Sequence, residues 1–440
     1  MNVLERLRTR SQGARSPATL DPVDSRLPPS AVRRGLRLSV VEGVLSTPHI
    51  NVTMGAFLTG FALLLGAGPF ELGVLGALPF VSQLFQFVGA YLEERLGNRR
   101  ALTVWTAAIS RSLWALIAAL PFLPALGAGA LAIFILLLAL SQALIGIAAN
   151  AWTSWMSDLV PPRQRGSYFG VRNTICSVSA MASTWLAGQL LDSYRAAGDD
   201  AAGYAIIFGA SLALALAGLV ALSFQAEPPT ARKARVNVRE LFSAPLRHPR
   251  FRTLSVAAGG WAVVTGISGP FFNAYGIQSL GLSYTMLALF GVATSAVSII
   301  TQPYIGRLQD RLGDRVVLIG SVLGASLLPW GWVLSTPTFL LPLWLTSIFA
   351  GVFWPGITQG LLNLVMDRAP AEGRGAYVAS YGAMSGLGTF LAGLIGGGLA
   401  SAIGPAVIML GPIALTQYTL LFALSSLGRL AMAFVFARRL

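Results

Sequence analysis

Apolar runs of about twenty residues recur from one end of this sequence to the other, broken by short charged loops. About twenty residues is the helix length that crosses the roughly 30 Å hydrocarbon core of a bilayer. Twelve such runs are expected, at 38–66, 70–92, 101–122, 126–157, 167–192, 203–225, 253–279, 283–304, 316–335, 340–366, 376–402 and 407–434. Lipid offers no water to satisfy backbone groups, and these segments are too long and too evenly apolar for the alternating strands of a barrel. They dictate an all-α integral membrane protein of twelve transmembrane helices. Composition agrees, since only 11% of the 440 residues are charged, against roughly 25% in soluble domains.

The net charge of +14 could suggest nucleic acid as a partner, so the position of the basic residues decides. Arg6, Arg8, Arg10, Arg15, Arg26, Arg33, Arg34 and Arg37 crowd the N-terminal stretch, and further arginines fill the loops after spans 2, 4, 8 and 10. The loops on the opposite face hold one, Arg195. That asymmetry is the positive-inside pattern. It accounts for the charge through topology, with no nucleic acid, and places both termini and the central loop in the cytoplasm of a cell whose inner (plasma) membrane holds the protein. Cys176 is the single cysteine, which excludes an intramolecular disulfide and a thiolate metal cluster. No cofactor or metal is expected.

The chain repeats itself. A shift of 216 residues lays Ser82 on Ser298, Gln86 on Gln302, Glu94 on Asp310, Arg95 on Arg311, Gly97 on Gly313 and Arg99 on Arg315. A shift of 209 lays Asp158 on Asp367, Arg165 on Arg374 and Tyr168 on Tyr377. Six spans duplicated into twelve is the internal symmetry typical of transporters. Residues 226–252, between the copies, are polar and basic, with Val238, Leu241, Phe242 and Leu246 forming an amphipathic stretch suited to the membrane surface. The expected organisation is a disordered cytoplasmic tail at 1–35, a six-helix bundle at 36–225, a cytoplasmic linker with an amphipathic helix at 226–252, and a second six-helix bundle at 253–440.

Two six-helix halves, a basic central loop and a charged motif after spans 2 and 8 resemble the major facilitator superfamily of secondary transporters. The run Gly306-Arg-Leu-Gln-Asp310-Arg311-Leu-Gly313-Asp-Arg315 matches the family's pattern; the first copy departs from it, with Glu94 for Asp and Ala90 at the leading Gly position. The resemblance implies that Glu94, Arg95, Gly97 and Arg99 latch the Arg-rich side against Asp158, Arg165 and the eleventh span. Asp310, Arg311, Gly313, Arg315, Asp367 and Arg374 would form the mirrored set. Such latches use a glycine turn to aim a carboxylate at a helix N-terminus, with guanidiniums nearby for bidentate pairing. The same charges also serve plain topology.

Ionisable residues inside a membrane are expensive and point to function. Glu42, Ser46, His49 and Thr53 recur along one face of the first span, beside Pro48. Glu42 and His49, with Arg111 deep in the third span and Asp158 on the fourth, are the candidate proton-coupling residues, His because it titrates near neutral pH. The plainer reading gives His49 a backbone carbonyl freed by Pro48 and has Glu42 reach for the interface. Arg111 suits an anionic substrate or a structural pairing with Glu42. Arg172 and Arg429 fall near the Arg-rich face of their expected spans, where snorkelling accounts for them.

In this fold, substrate sites are expected between the halves, near the bilayer middle. The candidates are Gln142, Asn150 and Trp152 on span 4, Phe272, Asn273 and Tyr275 on span 7, and Trp354, Gln359 and Asn363 on span 10. Amides and aromatic faces suit an uncharged polar solute such as a sugar or nucleoside, although the same residues also pack and bridge helices. No phosphate-cradling G-x-x-x-x-G-K-[ST] run is present, which argues against ATP-driven transport by this chain; a transporter and no enzyme is expected. The marks of the superfamily's drug/proton antiporters and sugar porters are also missing. The sequence therefore leads to a secondary transporter, a monomer in the lipid bilayer, moving a small organic solute by alternating access with protons. An exporter of amphipathic drugs or lipids is the first alternative. The second is a non-transporting assembly factor or sensor, which would be expected to carry a large cytoplasmic recognition domain.

Overall fold

The computed structural model describes residues 27–127, 129–229, 247–369, 374–405, 407–410 and 413–439. The tail up to residue 26 and the amphipathic stretch from Val238 to Leu246 lie outside the described residues. Helix α1 (Pro29–Val52) begins ahead of the expected start at 36, because a proline fits the first helical turn, where its missing N–H is not needed. It stops at Thr53. Helix α2 (Gly55–Leu64) restarts the first span from Gly55 at φ 59°, a left-handed backbone that glycine enters without penalty. Helices α3 (Pro69–Ala77) and α4 (Pro79–Leu96) make the second span, followed by α5 (Arg99–Ala119), α6 (Gly129–Leu159), α7 (Arg165–Ala196) and α8 (Asp200–Ser223).

The second half repeats this plan. Its first span is also broken, into α9 (Pro249–Gly266) and α10 (Phe271–Gln278), with Ser268-Gly269-Pro270 in the gap. Helices α11 (Tyr284–Leu312), α12 (Asp314–Val333), α13 (Leu341–Arg368) and α14 (Arg374–Ile403) follow. The last span corrects the sequence reading. Residues expected to open a helix at 407 instead form two short antiparallel strands, β1 (Ile408–Leu410) and β2 (Ile413–Leu415), before α15 (Gln417–Arg439). Pro405 and Pro412 cannot donate to a helical ladder, and a short apolar run alone does not separate strand from helix. The shift moves Arg429 from near the end of its span to its middle.

Packing repeats as well. In the first half α1 lies against α7 and α8, and α5 against α6 and α8; in the second, α9 lies against α14 and α15, and α12 against α13 and α15. The halves meet through α3 with α14 and α7 with α11. Lipid supplies no hydrophobic drive between helices, so close approach depends on small residues. A Cβ at Gly73 would run into the Gly393 carbonyl and sit 2.8 Å from Gly397 Cα. A large apolar cluster with Phe61, Phe134, Tyr204, Phe271, Tyr284 and Phe422 joins both halves on this side. Toward the Arg-rich loops, the clusters around Phe251 and Phe436 and around Met156 and Leu159 each belong to one half. The molecule is thus sealed at the end away from the Arg-rich loops.

Candidate functional site

Within the first half, α1 carries its polar stripe toward α5, α7 and α8. The Glu42 carboxylate is 7% exposed and accepts from Arg111 Nη2 at 3.2 Å, Arg172 Nη2 at 3.4 Å and Ser46 Oγ at 2.7 Å. Arg111 also donates to the Ala215 carbonyl at 2.7 Å, and Arg172 to the Ser39 carbonyl at 3.3 Å. The Arg172 guanidinium stands 4.8 Å over the Trp152 ring, a favourable cation–π position. Arg172 is therefore no snorkelling side chain; it reaches inward to a carboxylate. Glu42, Arg111, Arg172 and Trp152 all line a cavity of about 240 Å³. His49 sits about two turns beyond Glu42, bonded to Ser211 at 3.2 Å and edge-on to Trp114. Asp158 is not part of this group and lies at the Arg-rich end.

Three further cavities, of about 500, 250 and 310 Å³, share walls at the breaks in the first and seventh spans. Asn273 lines all three. Phe272 and Trp354 line the largest, and Gln142 one of the two shared by both halves. The other sequence candidates are elsewhere. Tyr275 is buried against Phe422, Asn150 donates to Glu93 at 3.4 Å, and Asn363 donates to Asp314 at 2.8 Å. Gln359 lines none of these cavities.

Arg429 is the residue the sequence placed wrongly. It is 3% exposed, lines the 500 Å³ cavity, and donates to the Ala325 carbonyl at 3.1 Å and to Ser268 Oγ at 3.4 Å. Its Nε has no hydrogen-bond partner, and among the described residues no carboxylate pairs with it.

The charged loops resolve into a buried and an exposed part. Arg99 is fully buried, donates to Asp158 Oδ2 at 2.6 Å and to the Pro228 carbonyl at 3.0 Å, and its backbone N–H donates to Glu227 at 2.7 Å. Glu93 is buried, accepting from Ser154 and Asn150. Glu94 and Arg95 are exposed. Sequence reasoning missed Glu93, although the 216-residue shift lays it on Gln309, which is likewise buried and donates to the Gly356 carbonyl across to α13. Gly97 ends α4 at φ 64° and Gly313 separates α11 from α12 at φ 84°. Arg315 donates to the Ala437 carbonyl at 2.6 Å and Arg165 to the Ser157 carbonyl. Asp310, Arg311 and Asp367 are exposed, and Arg374 opens α14.

Two pseudo-symmetric bundles around cavities lined by helix breaks and buried charges define a secondary transporter. The chain belongs to the Major Facilitator Superfamily, whose family model matches residues 45–393 and 265–439. A citrate-proton symporter of Salmonella typhi is 27% identical over 332 residues, 73% of this chain and 74% of that protein. Among solved structures, the nucleoside transporter NupG superposes with a TM-score of 0.68 at 14% identity, covering 93% of this chain and 98% of that one. A POT family transporter in complex with a thioalcohol conjugated peptide gives 0.67 at 12%, covering 92% and 96%. At such identities these structures share the fold alone.

Proposed function

We propose that the protein carries a small organic solute across the inner membrane together with protons, with Glu42 as the group that takes and releases the proton. The observation that carries this is a buried carboxylate held between Arg111 and Arg172 on helices of one half. Protonation of Glu42 removes both ion pairs and leaves the cations to find other partners. A proton arriving at Glu42 therefore loosens α1 from α5 and α7, which couples proton occupancy to helix packing. His49, bonded to Ser211, does not touch Glu42 and is a secondary relay. The proton-symporter relative supports proton coupling. The arginine bias of the short loops supports an Arg-rich end in the cytoplasm. In that orientation the present form is closed outside. Latching by Glu94 and Asp310 belongs to the opposite form, and the chain works as a monomer, since both halves of the seal come from one chain.

The test is solute accumulation in proteoliposomes under an imposed pH gradient, using labelled citrate, uridine and a dipeptide. At least one is expected to accumulate with the gradient, and Glu42→Gln should abolish that accumulation while leaving exchange at equal pH. Gradient-driven accumulation by Glu42→Gln at the wild-type level would overturn the assignment.

A further inference from the structure

The charges on the cavity walls do not balance. Among the described residues that line the four cavities, three guanidiniums, those of Arg111, Arg172 and Arg429, stand against the single carboxylate of Glu42. Arg111 and Arg172 share that carboxylate; Arg429 has a carbonyl and a serine hydroxyl. An ion held away from water needs an opposite charge or a full set of hydrogen bonds. A guanidinium offers five donors, and the Nε of Arg429 is buried without a partner. Arg429 stands on the wall of the 500 Å³ cavity, a volume within the usual range of small-molecule sites.

We propose that Arg429 is the docking group for an organic anion that presents a carboxylate, bound in the part of the central cavity that belongs to the second half. The rest of that wall is neutral, with Thr265, Asn273, Thr294 and Thr389 as hydrogen-bonding groups and Trp332 and Trp354 as apolar faces. Among the described residues it therefore holds no second cation for a doubly charged group. A phosphate monoester carries about −1.5 to −2 at neutral pH and would arrive over-charged; a carboxylate matches one guanidinium and its planar fork. A second feature points the same way. The N-terminus of α2, with Met54 as a cap residue that makes no side-chain bond, lines the two adjoining cavities through Met54 and Gly55. A helix start of this kind favours negative charge. The solute class that follows is anionic, where the sequence suggested a neutral sugar or nucleoside. The inference rests on the transport reading only in taking this cavity as the solute's path.

Equilibrium binding to the detergent-purified full chain tests it without requiring transport, by following tryptophan fluorescence with the monocarboxylates lactate and benzoate, glucose 6-phosphate and uridine. Lactate and benzoate are expected to bind wild type in preference to the other two. Arg429→Gln should weaken them about tenfold or more, and Arg429→Lys by less, because charge is kept and only the fork is lost. If Arg429→Gln fails to fold, Asn273→Asp, which sets a carboxylate on the shared wall, should also weaken lactate and benzoate. Carboxylate binding unchanged by every folded variant, or a preference for uridine or the phosphate ester, would overturn the proposal. Carboxylate binding that depends on Arg429, with no gradient-driven uptake in liposomes, would leave this site standing and remove proton-coupled transport.

Discussion

Asp192 makes the seal between the halves testable. It lies on α7 in the first half, and its two carboxylate oxygens accept from the backbone N–H groups of Tyr284 at 2.8 Å and Thr285 at 2.9 Å, at the start of α11 in the second half. Ser283 takes the next donor, from Met286, at 3.1 Å. A helix N-terminus leaves its first N–H groups without partners and carries a partial positive charge, so a carboxylate from the other half caps it as its own N-cap would. Tyr204 adds a hydroxyl bond to Tyr284 at 2.8 Å. Asp192→Asn keeps one acceptor, loses the charge, and turns an amide N–H₂ toward a backbone donor. Hydrogen bonds to charged groups contribute about 1.5–3 kcal/mol and the charge at the helix end about 0.3–1 kcal/mol. Two such bonds at the lower end of that range, less about 1 kcal/mol for the one neutral bond retained, give a loss of about 2 kcal/mol or more. At about 1.4 kcal/mol per factor of ten, the balance should move about thirtyfold or more toward the form that opens at this end. Spin labels on the outer ends of α7 and α11, and a second pair on the Arg-rich ends of α4 and α13, would report this by double electron–electron resonance. The expected result is a growing long-distance population at the outer pair and a shorter one at the other. Unchanged distance distributions at both pairs would refute the trans-capping argument.

Arg99→Ala removes a fully buried cation from Asp158 and the Pro228 carbonyl; the carboxylate left behind is 40% exposed and regains water, so thermal unfolding should show a loss of about 1.5–3 kcal/mol, and Arg99→Lys a smaller one. Gly73→Leu drives a side chain into the Gly393 carbonyl and Gly397, so cysteine labelling at the outer ends of α3 and α14 should rise, and unchanged labelling would count against sealing by glycine contact. Glu94→Gln with Asp310→Asn, both exposed in this form, should enrich it further by weakening latches that act when the Arg-rich mouth is closed; unchanged distances across that mouth would sink the idea.

The spans were legible because each needs a continuous apolar stretch, and the duplication because loop charges and glycines repeat at fixed offsets. The breaks were less legible. Pro48 announces a kink in the first span, yet α1 continues through it to Val52, and the interruption falls at Thr53-Met54-Gly55. Hydropathy opens the last span too early because it does not register Pro405 and Pro412, which carry no backbone N–H. That one error carried Arg429 to the membrane edge on paper and hid its place on the cavity wall. Asn273 was legible as an amide on the seventh span, whereas Asn150 and Asn363 turned out to bond carboxylates at the Arg-rich end. Helical spacing gives a residue's face but not its depth against a neighbour it is far from in sequence.

Among the described residues, ten helical segments are long and apolar enough to cross a membrane, and neither α1 nor α7 is among them. These two fall short for a reason connected to the site. Helix α1 carries Glu42, Ser46 and His49, and α7 carries Arg172 and several hydroxyl residues. A charge on a lone helix at the bilayer centre costs about 2.5–3.5 kcal/mol on insertion scales. Glu42 with Arg172 joins these two helices to each other, so each polar span offsets the other's penalty only once both are packed. A rule that scores helices one at a time fails where two helices share a charge, and such failures are expected at functional sites. Helix α15 shows the converse. It passes the apolar test while carrying Arg429, because one arginine barely lowers an average. No neighbouring helix among those described offers it a carboxylate, so the charge that α1 and α7 settle between themselves is left, on α15, for the solute to meet.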